Sequence, residues 1–405
     1  MARKPKERAS VYFPGLHGLR FFAAMMVVFS HVELMKDYHG YPNLYAGNLA
    51  VYESGRMGVT LFFVLSGFLI SYLLLTEKKV SGTVAVKKFY TRRILRIWPL
   101  YYLLVTATFI VLPKFGFFTV PKYSAILPTN FRYTFSLYGL LLPQVALSVF
   151  DPVPYAEPLW SIGVEEQFYL LWPLLMKHVR KFLRLTIFII IGAVVLKQIA
   201  FTFAEATRNQ QSLRYWNYLL SYLYFTRIEC MAVGGVGAWL IFARRERMLK
   251  LIYHRGVQVA LYAVTLLLLV TQTFKPVYNY LIYAVCFGLI IMNVATNPHS
   301  LIKIENKAFV LLGNISFSIY MFHEIVIKVV MQMLIRTGGA SFSDLRSNLL
   351  LYLFSVAGTL AVAALAYYGF EKPFLHLKSA FAVVESGQDI IEKHGPPVPV
   401  RATAA

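Results

Sequence analysis

The stretch Pro14-Gly15-Leu16-His17-Gly18-Leu19-Arg20-Phe21-Phe22-Ala23-Ala24-Met25-Met26-Val27-Val28-Phe29-Ser30-His31-Val32-Glu33-Leu34-Met35 reads as one predominantly apolar helix. It has the length needed to cross a hydrocarbon layer of ~30 Å, which takes about 18 or more consecutive residues. Runs of this kind recur along the chain. They are apolar all round, unlike the one-sided helices of a soluble protein. Of 405 residues, 58% are hydrophobic and 15% charged, whereas a soluble domain is about a quarter charged. We read about ten spans, near residues 14–35, 57–76, 95–113, 158–177, 183–204, 215–242, 257–274, 277–295, 308–335 and 347–370. The expected fold is an all-α integral membrane protein, a bundle of about ten transmembrane helices. Residues 1–380 form one transmembrane domain in this reading, and 381–405 a disordered cytoplasmic tail rich in Gly395, Pro396, Pro397 and Pro399.

The formal net charge of +21 raises the question of nucleic acid. The placement of the charges answers it. Lys78, Lys79, Lys87, Lys88, Arg92 and Arg93 fill one short loop region. Lys177, Arg180, Lys181 and Arg184 fill another, and Arg244, Arg245, Arg247, Lys250 and Arg255 a third. These loops alternate with loops poor in Lys and Arg, the pattern that membrane insertion selects, and it puts both termini in the cytoplasm. No nucleic acid is expected, only membrane lipids. The basic start Arg3, Lys4, Lys6 and Arg8 leads into a retained first helix. Cys230 and Cys286 both fall in apolar runs without zinc-ligand neighbours, so neither a disulfide framework nor a metal is expected. The outer loop at 114–157 contains a weakly apolar stretch near 134–149, read as a re-entrant or interfacial piece.

Ionisable groups inside spans cost at least ~2.5–3.5 kcal/mol each, which makes them candidates for function. Arg20 and His31 lie close to three turns apart on one face of the first span, about 16 Å along its axis. Arg93 and Arg96 are i, i+3 neighbours at the start of the third span and can grip phosphate through forked hydrogen bonds, or merely anchor the helix at the headgroups. Glu165 and Glu166 enter the membrane on the fourth span, pointing about 100° apart, so that one faces the interior. His323 on the ninth span comes to the depth of His31. Two histidines and a carboxylate from three helices make a candidate acid–base cluster.

These residues sit in recognisable motifs: Gly18-Leu19-Arg20-Phe21-Phe22-Ala23-Ala24 through His31, Phe62-Phe63-Val64-Leu65-Ser66-Gly67-Phe68, Arg93-Ile94-Leu95-Arg96, Trp160 to Tyr169, Ser318-Ile319-Tyr320-Met321-Phe322-His323, and Glu371-Lys372-Pro373. In this order, over nearly the whole chain, they resemble the acyltransferase-3 family. The resemblance implies ten core helices, an acyl-coenzyme A donor (usually acetyl-CoA) reached from the cytoplasm, and a cell-envelope or exported glycan as acceptor. It maps the family's first-helix arginine and histidine onto Arg20 and His31, its paired arginines onto Arg93 and Arg96, and its fourth-span glutamate onto Glu165. His17 stands where family members often carry Asp. Some members also carry a soluble transferase domain, which is not expected here.

The expected enzyme is therefore a multi-pass O-acyltransferase of a bacterial inner membrane. Arg20, Arg93 and Arg96 hold the donor. His31, Glu165 and His323 are catalytic, with Glu165 orienting His31 or holding its charge. Tyr320, Ser318 and Trp160 contact the substrate. The acceptor is a carbohydrate or glycolipid; a small natural product such as a macrolide is the alternative. A transporter and a non-catalytic scaffold are the rival classes. The transporter reading is weakened because no paired Gly/Pro-broken helices occur in corresponding halves.

Overall fold

The structure, a computed structural model, describes residues 9–44, 49–121, 130–207, 209–271 and 277–394. Its helices in chain order are α1 (Leu16–Tyr38), α2 (Leu49–Ser81), α3 (Val86–Thr106), α4 (Phe131–Gly139), α5 (Pro143–Val149), α6 (Leu159–His178), α7 (Phe182–Ala206), α8 (Gln210–Thr226), α9 (Ile228–Phe242), α10 (Glu246–Tyr253), α11 (Arg255–Thr271), α12 (Asn279–Thr296), α13 (Lys307–Asn314), α14 (Ser316–Gly338), α15 (Leu345–Ala366), α16 (Lys372–Ser379) and α17 (Gly387–His394). Among the described residues, eight helical runs are long and apolar enough to cross a membrane, and α10 with α11, bent by 64°, makes a ninth. The tenth expected span is α6. It has the length, and Glu165-Glu166-Gln167 lower its hydropathy.

Two expected spans change shape. The run expected at 308–335 breaks at Ile315, and α14 alone makes the crossing. Gly313, just before the break, presses so closely on His17 that an added Cβ would lie 2.5 Å from the histidine's own. In the 215–242 span, α8 and α9 meet at Arg227, whose left-handed φ of 36° kinks the run. The stretch at 134–149 forms the hairpin α4–α5, turning at Leu140–Leu142. It is held to α3 by the hydroxyls of Tyr101 and Tyr102, which donate to the Tyr138 and Gly139 carbonyls at 2.8 and 3.0 Å.

The tail corrects the expectation of disorder up to residue 394. Strand β1 (Ser10–Val11) pairs in parallel with β2 (Glu385–Ser386). Asp389 accepts from the Ser386 backbone and hydroxyl and forms an ion pair with Lys378 at 3.0 Å. These polar anchors act together with Val384, which is buried in the main core. The Gly/Pro-rich residues 395–405 lie outside the described residues. Strand pairing brings both described chain ends together on one face of the bundle.

The centre of the bundle is the contact of α2 with α9, made by small residues. A Cβ on Gly67 would fall on the Met231 carbonyl oxygen, and one on Gly234 would fall on the Val64 carbonyl oxygen. Gly67→Ala is expected to force these helices apart at a cost of about 1–3 kcal/mol. Gly192→Ala, with nothing within 4 Å, should leave the thermal midpoint in detergent unchanged. Equal melting of the two variants would refute the close approach.

Candidate active site

Five helices, α1, α2, α3, α6 and α14, line a partly open cavity of about 90 Å³. Arg20 reaches it from α1, Arg93 and Arg96 from α3, Glu165 and Tyr169 from α6, and Tyr320 from α14. The arginines face inward, so the reading of Arg93 and Arg96 as plain surface anchors does not hold. Arg20 is within electrostatic reach of Arg96, Arg93 and Glu165. The Arg93 guanidinium lies over the Tyr169 ring at 5.3 Å and the Phe89 ring at 5.5 Å, and its Nε is buried without a hydrogen-bond partner. Three cations and one carboxylate therefore line the cavity. Glu166 and Glu371 lie behind it, engaged by Trp98 and Ser318. Clustered guanidiniums repel at low dielectric, and an anion relieves that cost. The lining thus carries a net positive charge.

Glu165 belongs to this cavity and corrects the expectation that it orients His31. Its carboxylate accepts from Ser66 Oγ at 3.0 Å and from the Tyr169 hydroxyl at 2.7 Å. The carboxylate that meets the imidazole is Glu324. Its Oε1 is 3.2 Å from His31 Nδ1, and His323 Nε2 is 2.6 Å from the same nitrogen. The two rings stack at 4.7 Å and 30°.

The hydrogen bonds determine the tautomers. His323 Nδ1 lies 2.8 Å from the Tyr320 carbonyl, which can only accept. In the neutral state that nitrogen carries the hydrogen and His323 Nε2 presents a lone pair. The proton shared with His31 therefore sits on His31 Nδ1, shared between His323 and Glu324. His31 Nε2 is left with its lone pair. His323 is fully buried and Glu324 nearly so, while the His31 side chain keeps 15% of its surface open. Of the three groups, His31 is the one a substrate can reach.

Tyr320 connects the two centres. Its side chain lines the arginine cavity, its hydroxyl bonds Ser161 at 2.8 Å and the Pro158 carbonyl at 2.9 Å, and its own carbonyl holds His323. Its ring centroid is 6.0 Å from that of His323. Two other expected substrate contacts lie elsewhere. Ser318 is fully buried and donates to Glu371, tying α14 to the turn before α16. Trp160 packs edge-on to Phe63 at 5.9 Å and under the Arg227 guanidinium at 5.3 Å. Ser161 and Ser316, their near neighbours in sequence, line the cavity instead. Ser66 and Tyr169 lie within the quoted motifs, and only the fold shows that they hold Glu165. Adjacency to His323 was the signal for Glu324, obscured because neighbouring helical side chains diverge by about 100°. His31 sits between the two directions, so both neighbours reach it.

The profile of the acyltransferase-3 family, described as an acyltransferase domain, matches residues 13–368. The chain is 26% identical over 339 residues to O-acetyltransferase OatA of Staphylococcus aureus (strain NCTC 8325 / PS 47), covering 79% of this chain and 51% of that protein. It is 25% identical over 378 residues to peptidoglycan O-acetyltransferase OatA of Listeria monocytogenes serovar 1/2a, covering 89% of this chain and 56% of that protein. The chain thus spans about half the length of these relatives. No solved structure gives a significant match. A helical bundle built for the membrane, with an inward-facing arginine cavity beside an imidazole–carboxylate cluster, belongs to the acyltransferase-3 family.

Proposed function

We propose that this acyltransferase moves an acetyl group from acetyl-coenzyme A to a hydroxyl of a cell-surface or exported carbohydrate. One observation carries the reading: a cationic cavity and an oriented imidazole share a single residue, Tyr320, as their common wall. The cavity suits the phosphates of the donor, with Arg93 and Arg96 as a forked clamp and Arg20 deeper. His31 Nε2 takes the proton of the acceptor hydroxyl as its oxygen attacks the thioester carbonyl. Glu324 and His323 hold the resulting imidazolium through Nδ1. The tetrahedral adduct collapses, the carbon–sulfur bond breaks, and the proton leaves with the sulfur as free thiol. Glu165 keeps Ser66 and Tyr169 in register around the donor. The Listeria relative is named for O-acetylation of peptidoglycan, which favours a glycan acceptor over a small natural product.

The test is direct. Purified protein in lipid nanodiscs should release free thiol from acetyl-coenzyme A when a glycan acceptor is supplied, and mass spectrometry should find the acetyl ester on that glycan. Thiol release only with a macrolide-type acceptor would replace the glycan reading. No acetyl transfer by folded protein with any acceptor would end the proposal.

A further inference from the structure

His31, His323 and Glu324 are also the three side chains that could hold a metal ion among the described residues. Their ligand atoms all lie within 4.8 Å of one another. We infer that His31 Nδ1, His323 Nε2 and Glu324 Oε1 form a site for a divalent transition metal, zinc foremost, and that the metal-loaded protein is catalytically silent. The inhibitory half rests on His31 acting as the base; the binding half does not.

Two of the three ligand separations are near those of a two-histidine, one-carboxylate site, and the third pair, His323 with Glu324, lies within 4.8 Å and closes by up to about 1.5 Å on binding. Zinc ligands at about 2.0–2.1 Å in tetrahedral array stand roughly 3.3 Å apart. The His31–Glu324 separation of 3.2 Å already meets this. The His31–His323 separation of 2.6 Å opens to it by about 0.7 Å, a small rotation of two stacked rings. The supporting shell is in place. The Tyr320 carbonyl holds His323 Nδ1–H and so aims the bare Nε2 at the centre, the arrangement that orients metal-bound histidines. Three protein ligands leave a fourth position on the open side of His31, for water. Two imidazoles and a carboxylate suit zinc, cobalt, nickel and copper(II) and do not suit magnesium or calcium, which prefer all-oxygen sites.

Silencing follows from proton accounting. Metal bound at His31 Nδ1 displaces the hydrogen there, which moves to Nε2. No proton leaves the protein when Glu324 is ionised. The lone pair on Nε2 is consumed, and with it the base. Zinc and catalysis therefore compete for one imidazole.

The experiment uses the full chain in nanodiscs with zinc chloride as the probe. Calorimetry against a zinc chelator should give one tight site. His323→Asn should weaken it by about 100-fold and Glu324→Gln by about 10-fold, while His178→Ala, on the last turn of α6, should leave it intact. X-ray absorption at the zinc edge should show two imidazoles in the shell. In the wild type, acetyl transfer should fall as the site fills and return with chelator, and millimolar magnesium should have no effect. Equal zinc affinity in wild type and His323→Asn of matching gel-filtration profile would overturn the site, whether or not the protein transfers acetyl groups. Full activity with the site filled would overturn the inhibition and the base assignment together, leaving the metal site standing.

Discussion

His31→Ala should lower acetyl transfer by at least about 10³-fold, the loss typical of removing a group that both accepts the proton and orients the attack. Glu324→Gln should cost about 10²-fold or more. Glutamine still accepts a hydrogen bond from His31 Nδ1 but supplies no negative charge to the imidazolium, and its amide can turn and impose the wrong tautomer. Steady-state rates in nanodiscs, with folding checked by gel filtration, measure both. Glu165→Gln serves as the contrast. The sequence motifs alone put Glu165 on the imidazole, whereas the structure puts Glu324 there at 3.2 Å and seats Glu165 on Ser66 and Tyr169. The loss in Glu165→Gln should therefore fall mainly on donor KM. If Glu165→Gln matched His31→Ala in kcat while Glu324→Gln stayed near wild type, the assignment of the carboxylates would be wrong.

The second large effect concerns the donor. Arg93→Ala and Arg96→Ala should each raise the KM for acetyl-coenzyme A by about 10- to 100-fold, since a hydrogen bond to a charged group is worth about 1.5–3 kcal/mol. Where substrate and transition state use the phosphate contacts alike, kcat should change little. Lysine in place of Arg93 should recover only part of the affinity, because a point charge lacks the fork and does not stack on Tyr169 in the same way. Arg92→Ala makes the comparison sharp. It lies in the same basic stretch, and in the structure Arg92 bonds the Phe381 carbonyl at 2.8 Å and pairs with Glu77 at 3.6 Å. Its loss should loosen the C-terminal segment and leave donor KM almost unchanged. A larger KM effect for Arg92 than for Arg93 and Arg96 would relocate the anion site.

Apolar length is a local property, so the bundle was legible in the chain itself. The ten expected spans correspond to eight strongly apolar runs, the bent α10–α11 pair and α6. The departures occur where tertiary contacts override hydropathy: the break at Ile315, the Arg227 kink, and the ordered segment at 385–394. Family motifs likewise marked Arg20, His31, Arg93, Arg96 and His323, because charge and imidazole are costly in a membrane and stand out against an apolar background.

Which of these groups touch was decided only by the packing of α1 against α14 and of α3 against α6. A helix's sequence gives the angle of a side chain about its own axis. It says nothing of the rotation or height of its neighbours. That is why Glu165, the carboxylate expected on His31, lies in the arginine cavity, while Glu324, which the sequence did not single out, lies on His31. It is also why Ser318 and Trp160 turned into packing while Ser161 and Ser316 turned to the cavity.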